Sequence, residues 1–253
     1  MEKLIDVVNP LQDVLFVILL FKDDNFTRAP YDIDILGKKM WEWVALCGSG
    51  AKIKTIPCTN QTDIIGLVKP LVNDEKYTFI LYSDTPLITR NDVLEILDYF
   101  KAKSLSVLKL KRGFVFESEY LKNCESILCD FNPIFDGNEF DKIDSFKKLE
   151  NVRRILQGKI LDYHLSNGVN IIDTNRVNID ADVVIEKGVV IYPNNFIFGQ
   201  SYIGENATLE PNNVIFNSII SSGAVLKGAY VQNSRLDENK IIGPYDKIID
   251  KNI

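Results

Sequence analysis

The sequence predicts a two-part chain, an α/β domain of three layers with a mainly parallel sheet, followed by a solenoid of short β coils. Two patterns lead there. Strand-like and helix-like segments alternate through the first half, and from Ile179 to Ile248 an aliphatic residue returns at almost every sixth position. A length of 253 residues at 46% hydrophobic content is enough for two modest cores.

The α/β half opens with Val14 to Phe21 (VLFVILLF), a continuous β-prone run of the kind buried on both faces of a parallel sheet. A polar loop, KDDNFTRAPYD, precedes GKKMWEWVALCG, which has helical spacing at Met40, Trp43, Val44 and Cys47. Ala51 to Pro57 alternates as a short strand, and Asp63 to Val72 is helix-like but limited by Pro70. Tyr77 to Tyr82 (YTFILY) is the second strong strand. Thr89 is placed to cap an amphipathic helix from Asn91 to Lys103. Ser106 to Leu110 and Gly113 to Phe116 add two more strands. In such sheets ligands bind past the carboxyl ends of strands, here the loops after Phe21 and Tyr82.

Residues 139–168 form a polar, helix-prone connector with an apolar stripe at Leu149, Val152, Ile155, Leu156 and Ile160, closed by Asn167-Gly168. It is expected to dock on the first coil. Domain limits of 1–138, 139–168 and 169–253 follow. The aliphatic series then runs Ile179, Ile185, Ile191, Ile197, Ile203, Leu209, Ile215, Ile220, Leu226, Val231, Leu236, Ile242 and Ile248. A helix needs returns near 3.6 residues and a flat strand near two; a hexad fits one side of a triangular coil whose inward residues stack. Gly188, Asn194, Asn195, Gly204, Asn206, Asn212, Asn213 and Gly223 suit the corners. The short steps IFNSII and VQNSRL share an Asn-Ser pair, which marks the shortening as part of the repeat.

A net charge of -6 argues against a nucleic-acid or anionic-membrane surface. Cys47, Cys58, Cys124 and Cys129 show no metal-site spacing, so reduced thiols are expected. The run VLFVILLF is too short to span a bilayer and MEKLIDVVNP is no signal peptide, so a cytoplasmic protein is expected.

The segment LYSDTPLI places Asp84 at a strand end, where a carboxylate can hold a divalent cation against a phosphate; Asp-Thr-Pro is also a common turn. LYSDTPLI resembles the LYGDxPLI motif of sugar-phosphate nucleotidyltransferases, and ILGKKMWEWV, RGFVFESEYLKN and the stretch from KLENVRRILQ to NRVNID resemble further segments in the same order. That last stretch resembles the linking helix and first coil of the family's bifunctional uridylyltransferase/acetyltransferase members. The resemblance implies a nucleotide-diphospho-sugar transferase-like (Rossmann-like) domain and a left-handed β-helix. It also implies Mg²⁺ on Asp84, nucleotide or phosphate contact from Thr27 and Arg28, a sugar phosphate or nucleotide as ligand, and a homotrimer built through the β-helix.

Departures from the family pattern bear on activity. The loop Lys22 to Arg28 has two carboxylates and no glycine where a triphosphate would sit, an unfavourable charge arrangement. Tyr31 stands where a lysine is expected, Lys142 lies near the position of an expected metal-sharing asparagine, and no Gly-Thr-Gly-His stretch occurs. About fifty residues that carry sugar contacts are missing between Leu110 and Arg112, judged against ordinary domain sizes. His164, the single histidine, lies in the connector, where a solvated or capping role is expected rather than that of a general base for acetyl transfer. The expectation is a nucleotidyltransferase-like protein with degraded or absent uridylyl transfer and no acetyl transfer. The alternatives are an active nucleotidyltransferase of altered specificity, and an oligomeric scaffold or regulatory subunit. Phe196, Phe198, Tyr202, Phe216 and Tyr230, all off the inward positions, are expected to form a subunit interface.

Overall fold

A computed structural model describes residues 9–22, 29–60, 62–126 and 135–253. The chain divides into two compact units, one running to Asp34 and from Lys39 to Val152, the other comprising Ile35–Lys38 and Arg153–Ile253.

The first strands in chain order are β1 (Val14–Phe21), the two-residue β2 (Asp34–Ile35) and β3 (Lys38–Lys39), β4 (Lys52–Cys58) and β5 (Tyr77–Tyr82); in the first unit β1 lies between β4 and β5, parallel to both. Its continuous apolar sequence follows from burial on both faces. Phe16 and Ile18 pack with Val44 and Cys47 of α1 (Met40–Cys47) and with Val93 and Leu97 of α3 (Arg90–Ala102). Leu15, Val17 and Leu19 pack the other way, with Ile65 and Val68 of α2 (Ile64–Val68) and Leu121 of α4 (Ser118–Asn123). Helix α2 stops where Pro70 forces a single 3₁₀ turn, Lys69–Leu71. Thr89 caps α3 as expected, exchanging hydrogen bonds with Asp92 in a capping box.

The sheet order is β4-β1-β5, then β7 (Gly113–Glu117) and β6 (Val107–Leu110); the sheet is mainly parallel as expected, and β7 alone reverses direction, antiparallel to both β5 and β6. Leu110 faces Gly113 across a turn of only Lys111 and Arg112, which can close a hairpin but not a parallel crossover. Gly113 is obligatory here: its φ is 151°, and a Cβ would collide with the Ile80 carbonyl oxygen.

Helix α5 (Phe146–Ser166) starts later than the connector's polar composition suggests. Leu149, Val152 and Leu156 are buried and Ile160 packs on the solenoid core, but Ile155 is exposed. Residues 149, 152, 156 and 160 share a stripe, whereas 155 stands about 100° around the helix from 156. Gln157 holds the first coil, donating to the Ile179 carbonyl at 3.2 Å and accepting from its N–H at 3.4 Å. Gly168, at φ 84°, ends the helix as Val169 N–H returns to the His164 carbonyl.

The second unit is a left-handed parallel β-helix whose short strands stack into three parallel sheets, one per side of the triangular coil. Ile185 pairs with Ile203 and Val190 with Thr208, each eighteen positions on. Every member of the aliphatic series belongs to one hydrophobic column, with Ile248 partly buried at its end. Gly188, Asn194, Asn206, Asn212 and Gly223 turn corners at positive φ, as their sequence suggests. The five-residue steps turn on one left-handed residue each, Asn217, Gly228 and Asn233, two positions after an inward aliphatic residue.

Asn195 and Asn213, expected at corners, are instead fully buried and form a ladder. Asn213 Nδ2 donates to Asn195 Oδ1 at 2.8 Å and to the Glu210 and Leu226 carbonyls, while its Oδ1 accepts from Ala229 N–H at 2.8 Å. A second ladder runs through buried Ser201, Ser218 and Ser234. Each hydroxyl donates to a carbonyl of its own coil and accepts the N–H one coil on, Ser218 to Ser201 at 3.2 Å, Ser234 to Ser218 at 3.1 Å and Lys251 to Ser234 at 3.0 Å. Each polar group is satisfied inside the wall, so burial carries little penalty.

Candidate functional site

Strands β1 and β5 end side by side, Leu19 opposite Tyr82, which brings both predicted ligand loops to one edge. Ser83 fastens them: its N–H donates to the Leu19 carbonyl at 2.9 Å, and its hydroxyl accepts from Phe21 N–H at 3.1 Å. Thr85 Oγ1 closes the turn on the Tyr82 carbonyl at 2.9 Å. Ser83, Asp84 and Thr85 are completely buried, so this turn is an inner wall of the edge rather than an exposed loop.

Arg112, from the two-residue turn, reaches Asp84. Its Nε donates to Asp84 Oδ1 at 3.0 Å and its Nη2 to Oδ2 at 2.6 Å, a bidentate pair in which the carboxylate is inaccessible and the arginine side chain is 21% exposed. The guanidinium carbon lies 3.8 Å from the Tyr82 ring centre and 4.8 Å from that of Phe21. Phe21 and Tyr82 meet edge to face, and Lys142 Nζ lies 4.9 Å from the Phe21 ring. Asp84 also anchors the chain after residue 135, its backbone carbonyl accepting from Ile143 N–H at 3.1 Å. Lys111, the other turn residue, pairs with Asp141 at 2.7 Å and Asp136 at 3.1 Å; hydrogen bonds to these two carboxylates raise its pKa. Burial pushes the Cys58 thiol up to about 11 and raises the Tyr82 phenol.

Thr27 and Arg28 lie outside the described residues. Asp84 stands at the strand end where the sequence places it, and Lys142 is at the same edge. Around Asp84 the described residues do not fit Mg²⁺: both carboxylate oxygens are engaged by a guanidinium, and among the described residues no group of three or more His, Cys, Asp or Glu is placed to hold a metal. Sequence reasoning missed Arg112. Its signal was the interval Lys111-Arg112 between two strand segments, short enough to force a hairpin whose tip lies beside the end of β5.

No family model matches the chain. Among curated proteins it is similar to the bifunctional protein GlmU of Clostridium kluyveri, 35% identical over 103 residues, which cover 41% of this chain and 23% of the relative. The GlmU of Clostridioides difficile is likewise 35% identical over 103 residues, 41% of this chain and 22% of that protein. The GlmU of Clostridium novyi is 31% identical over 124 residues, 49% of this chain and 26% of the relative. Over these stretches the chain is similar to GlmU, with about two thirds of the aligned positions different. The matched stretches span about a quarter of the length of these GlmU proteins. The likeness agrees with the order of an α/β nucleotidyltransferase-like unit and a β-helix.

His164 is not solvated, as its helix position suggested, but 2% exposed. Its ring packs edge to face on Tyr163 at 5.3 Å, and Nδ1 is buried without a hydrogen bond. Burial lowers its pKa. Among the described residues Cys47, Cys58 and Cys124 are free and buried, and Cys129 lies outside those residues. Among the described residues no helix is long and apolar enough to cross a membrane.

Proposed function

We propose that this GlmU-related chain has lost nucleotidyl transfer and that its β-helix serves assembly of a homotrimer. The observation that carries the first half is the Asp84–Arg112 pair. Nucleotidyl transfer depends on positive charge delivered to phosphates by a positioned cation. A buried carboxylate with both oxygens already held by guanidinium N–H groups would have to loosen that pair to take a divalent ion, and removing the guanidinium would strand a buried charge. The carboxylates Asp23 and Asp24 in the loop where a triphosphate is expected support the same reading. The burial of His164 argues against its acting as the base for acetyl transfer. The working context is cytoplasmic, with a sugar phosphate or nucleotide as retained ligand and no nucleic acid.

Assembly is supported by one β-helix face. Phe196, Val214 and Tyr230 stack in register on its outside, beside Phe198 and Phe216. Phe196, Phe216 and Tyr230 remain exposed, a concentration of aromatic surface suited to a subunit contact. Two measurements test the proposal. Incubation with UTP, N-acetylglucosamine 1-phosphate and Mg²⁺ is expected to release no pyrophosphate above background; turnover that Asp84→Asn abolishes would refute the loss. Sedimentation equilibrium is expected to give a trimer that Phe216→Glu dissociates, and a monomeric wild type would refute assembly.

A further inference from the structure

Among the described residues Arg112 leaves one donor group unused. Nε and Nη2 are committed to Asp84, while Nη1 makes no hydrogen bond among the described residues, and part of the side chain reaches solvent. The guanidinium cannot swing freely, because the bidentate pair fixes its plane and the rings of Tyr82 and Phe21 lie against it. It is therefore a pre-oriented donor at the carboxyl edge of β1 and β5, where open α/β sheets take their ligands. Lys142 brings a second positive charge to the same Phe21 ring. A fixed guanidinium whose Nη1 makes no hydrogen bond among the described residues suits the oxygens of a phosphate group.

We infer that Arg112 is a built-in replacement for a divalent cation, and that this edge binds a phosphate monoester without metal. The inference deepens the proposed loss of nucleotidyl transfer by naming what the same edge retains. An internal cation neutralises Asp84 permanently, so phosphate affinity no longer depends on metal supply.

Calorimetric titration of the full chain with inorganic phosphate and with N-acetylglucosamine 1-phosphate, in EDTA and again in Mg²⁺, tests it. The expected result is saturable binding of the phosphate ester with the same affinity in both buffers. Tighter binding of the ester than of inorganic phosphate would show that the sugar is read; equal binding would identify the phosphate alone as the ligand. Arg112→Gln is expected to weaken binding about tenfold or more, the scale of a lost charge-assisted hydrogen bond. Because that variant strands Asp84, the double variant Asp84→Asn/Arg112→Gln, with its fold checked by circular dichroism, is expected to show the same loss. Asp84→Asn alone is expected to tighten binding several-fold, since the guanidinium loses its internal competitor; a purely structural pair would predict weakening. Absence of binding in both buffers, a requirement for Mg²⁺, unchanged affinity in the double variant, or weaker binding by Asp84→Asn would each overturn the inference. Pyrophosphate release in the separate turnover assay would refute the proposed loss of activity without affecting this titration, so the two failures are distinguishable.

Discussion

The α/β unit and the β-helix both bury polar groups, but they distribute the risk differently. At the edge of the α/β sheet a single carboxylate and a single arginine meet in two hydrogen bonds, and each depends on the other. In the β-helix wall, neutral amides and hydroxyls repeat from coil to coil, and each serves its neighbours as donor and acceptor. A charge pair concentrates its energy at one point and fails as a unit; a ladder spreads modest contributions over many rungs. The contrast separates a site open to functional change, where one turn residue alters the chemistry, from a scaffold where no one position dominates.

The largest expected effect breaks the concentrated side. Arg112→Ala leaves Asp84 charged and buried, and is expected to cost about 3–5 kcal/mol in denaturant unfolding. Asp84→Leu/Arg112→Met, which removes both charges, should cost much less; equal losses would show that packing, not charge, holds the edge. In the column, Leu209→Ala is expected to cost about 2–5 kcal/mol by opening a cavity between coils. Asn213→Ala, which unpairs the Ala229 N–H and two carbonyl contacts, should cost about 1–3 kcal/mol. A loss as large as that of Arg112→Ala would mean that the ladder, too, is all-or-none.

The smallest effect concerns His164, whose pKa burial lowers in the folded state. The unfolded chain, with an ordinary value of about 6.5, then binds the proton more readily. Stability should be unaffected above that pH and fall as the pH drops through it toward the folded value. His164→Phe should flatten the slope of unfolding free energy between pH 7 and pH 5; an unchanged slope would assign the acid sensitivity to other groups.

Features repeated along the chain were legible in the sequence, and features made by distant residues were not. The inward column shows itself because each aliphatic residue follows the last by one side of the coil. The strands VLFVILLF and YTFILY show themselves because burial on both faces needs unbroken apolar sequence. Asn195 and Asn213 read as corner residues because composition cannot tell a left-handed turn from an inward amide; their spacing of eighteen was the available clue. His164 reads as exposed because helix position alone does not say which neighbours cover it. Arg112 meets a partner twenty-eight positions earlier, across a sheet whose antiparallel edge depends on the shortness of the Lys111-Arg112 turn.

The five-residue steps carry one further consequence. Ile185 pairs eighteen positions on, with Ile203, but Val214 pairs sixteen positions on, with Tyr230. The coil length falls to sixteen where the five-residue steps lie and returns to seventeen from Tyr230 to Lys247, yet the inward aliphatic residues stay in one column. The corners, each turned by a single left-handed residue, absorb the change in length so that the strands keep their register.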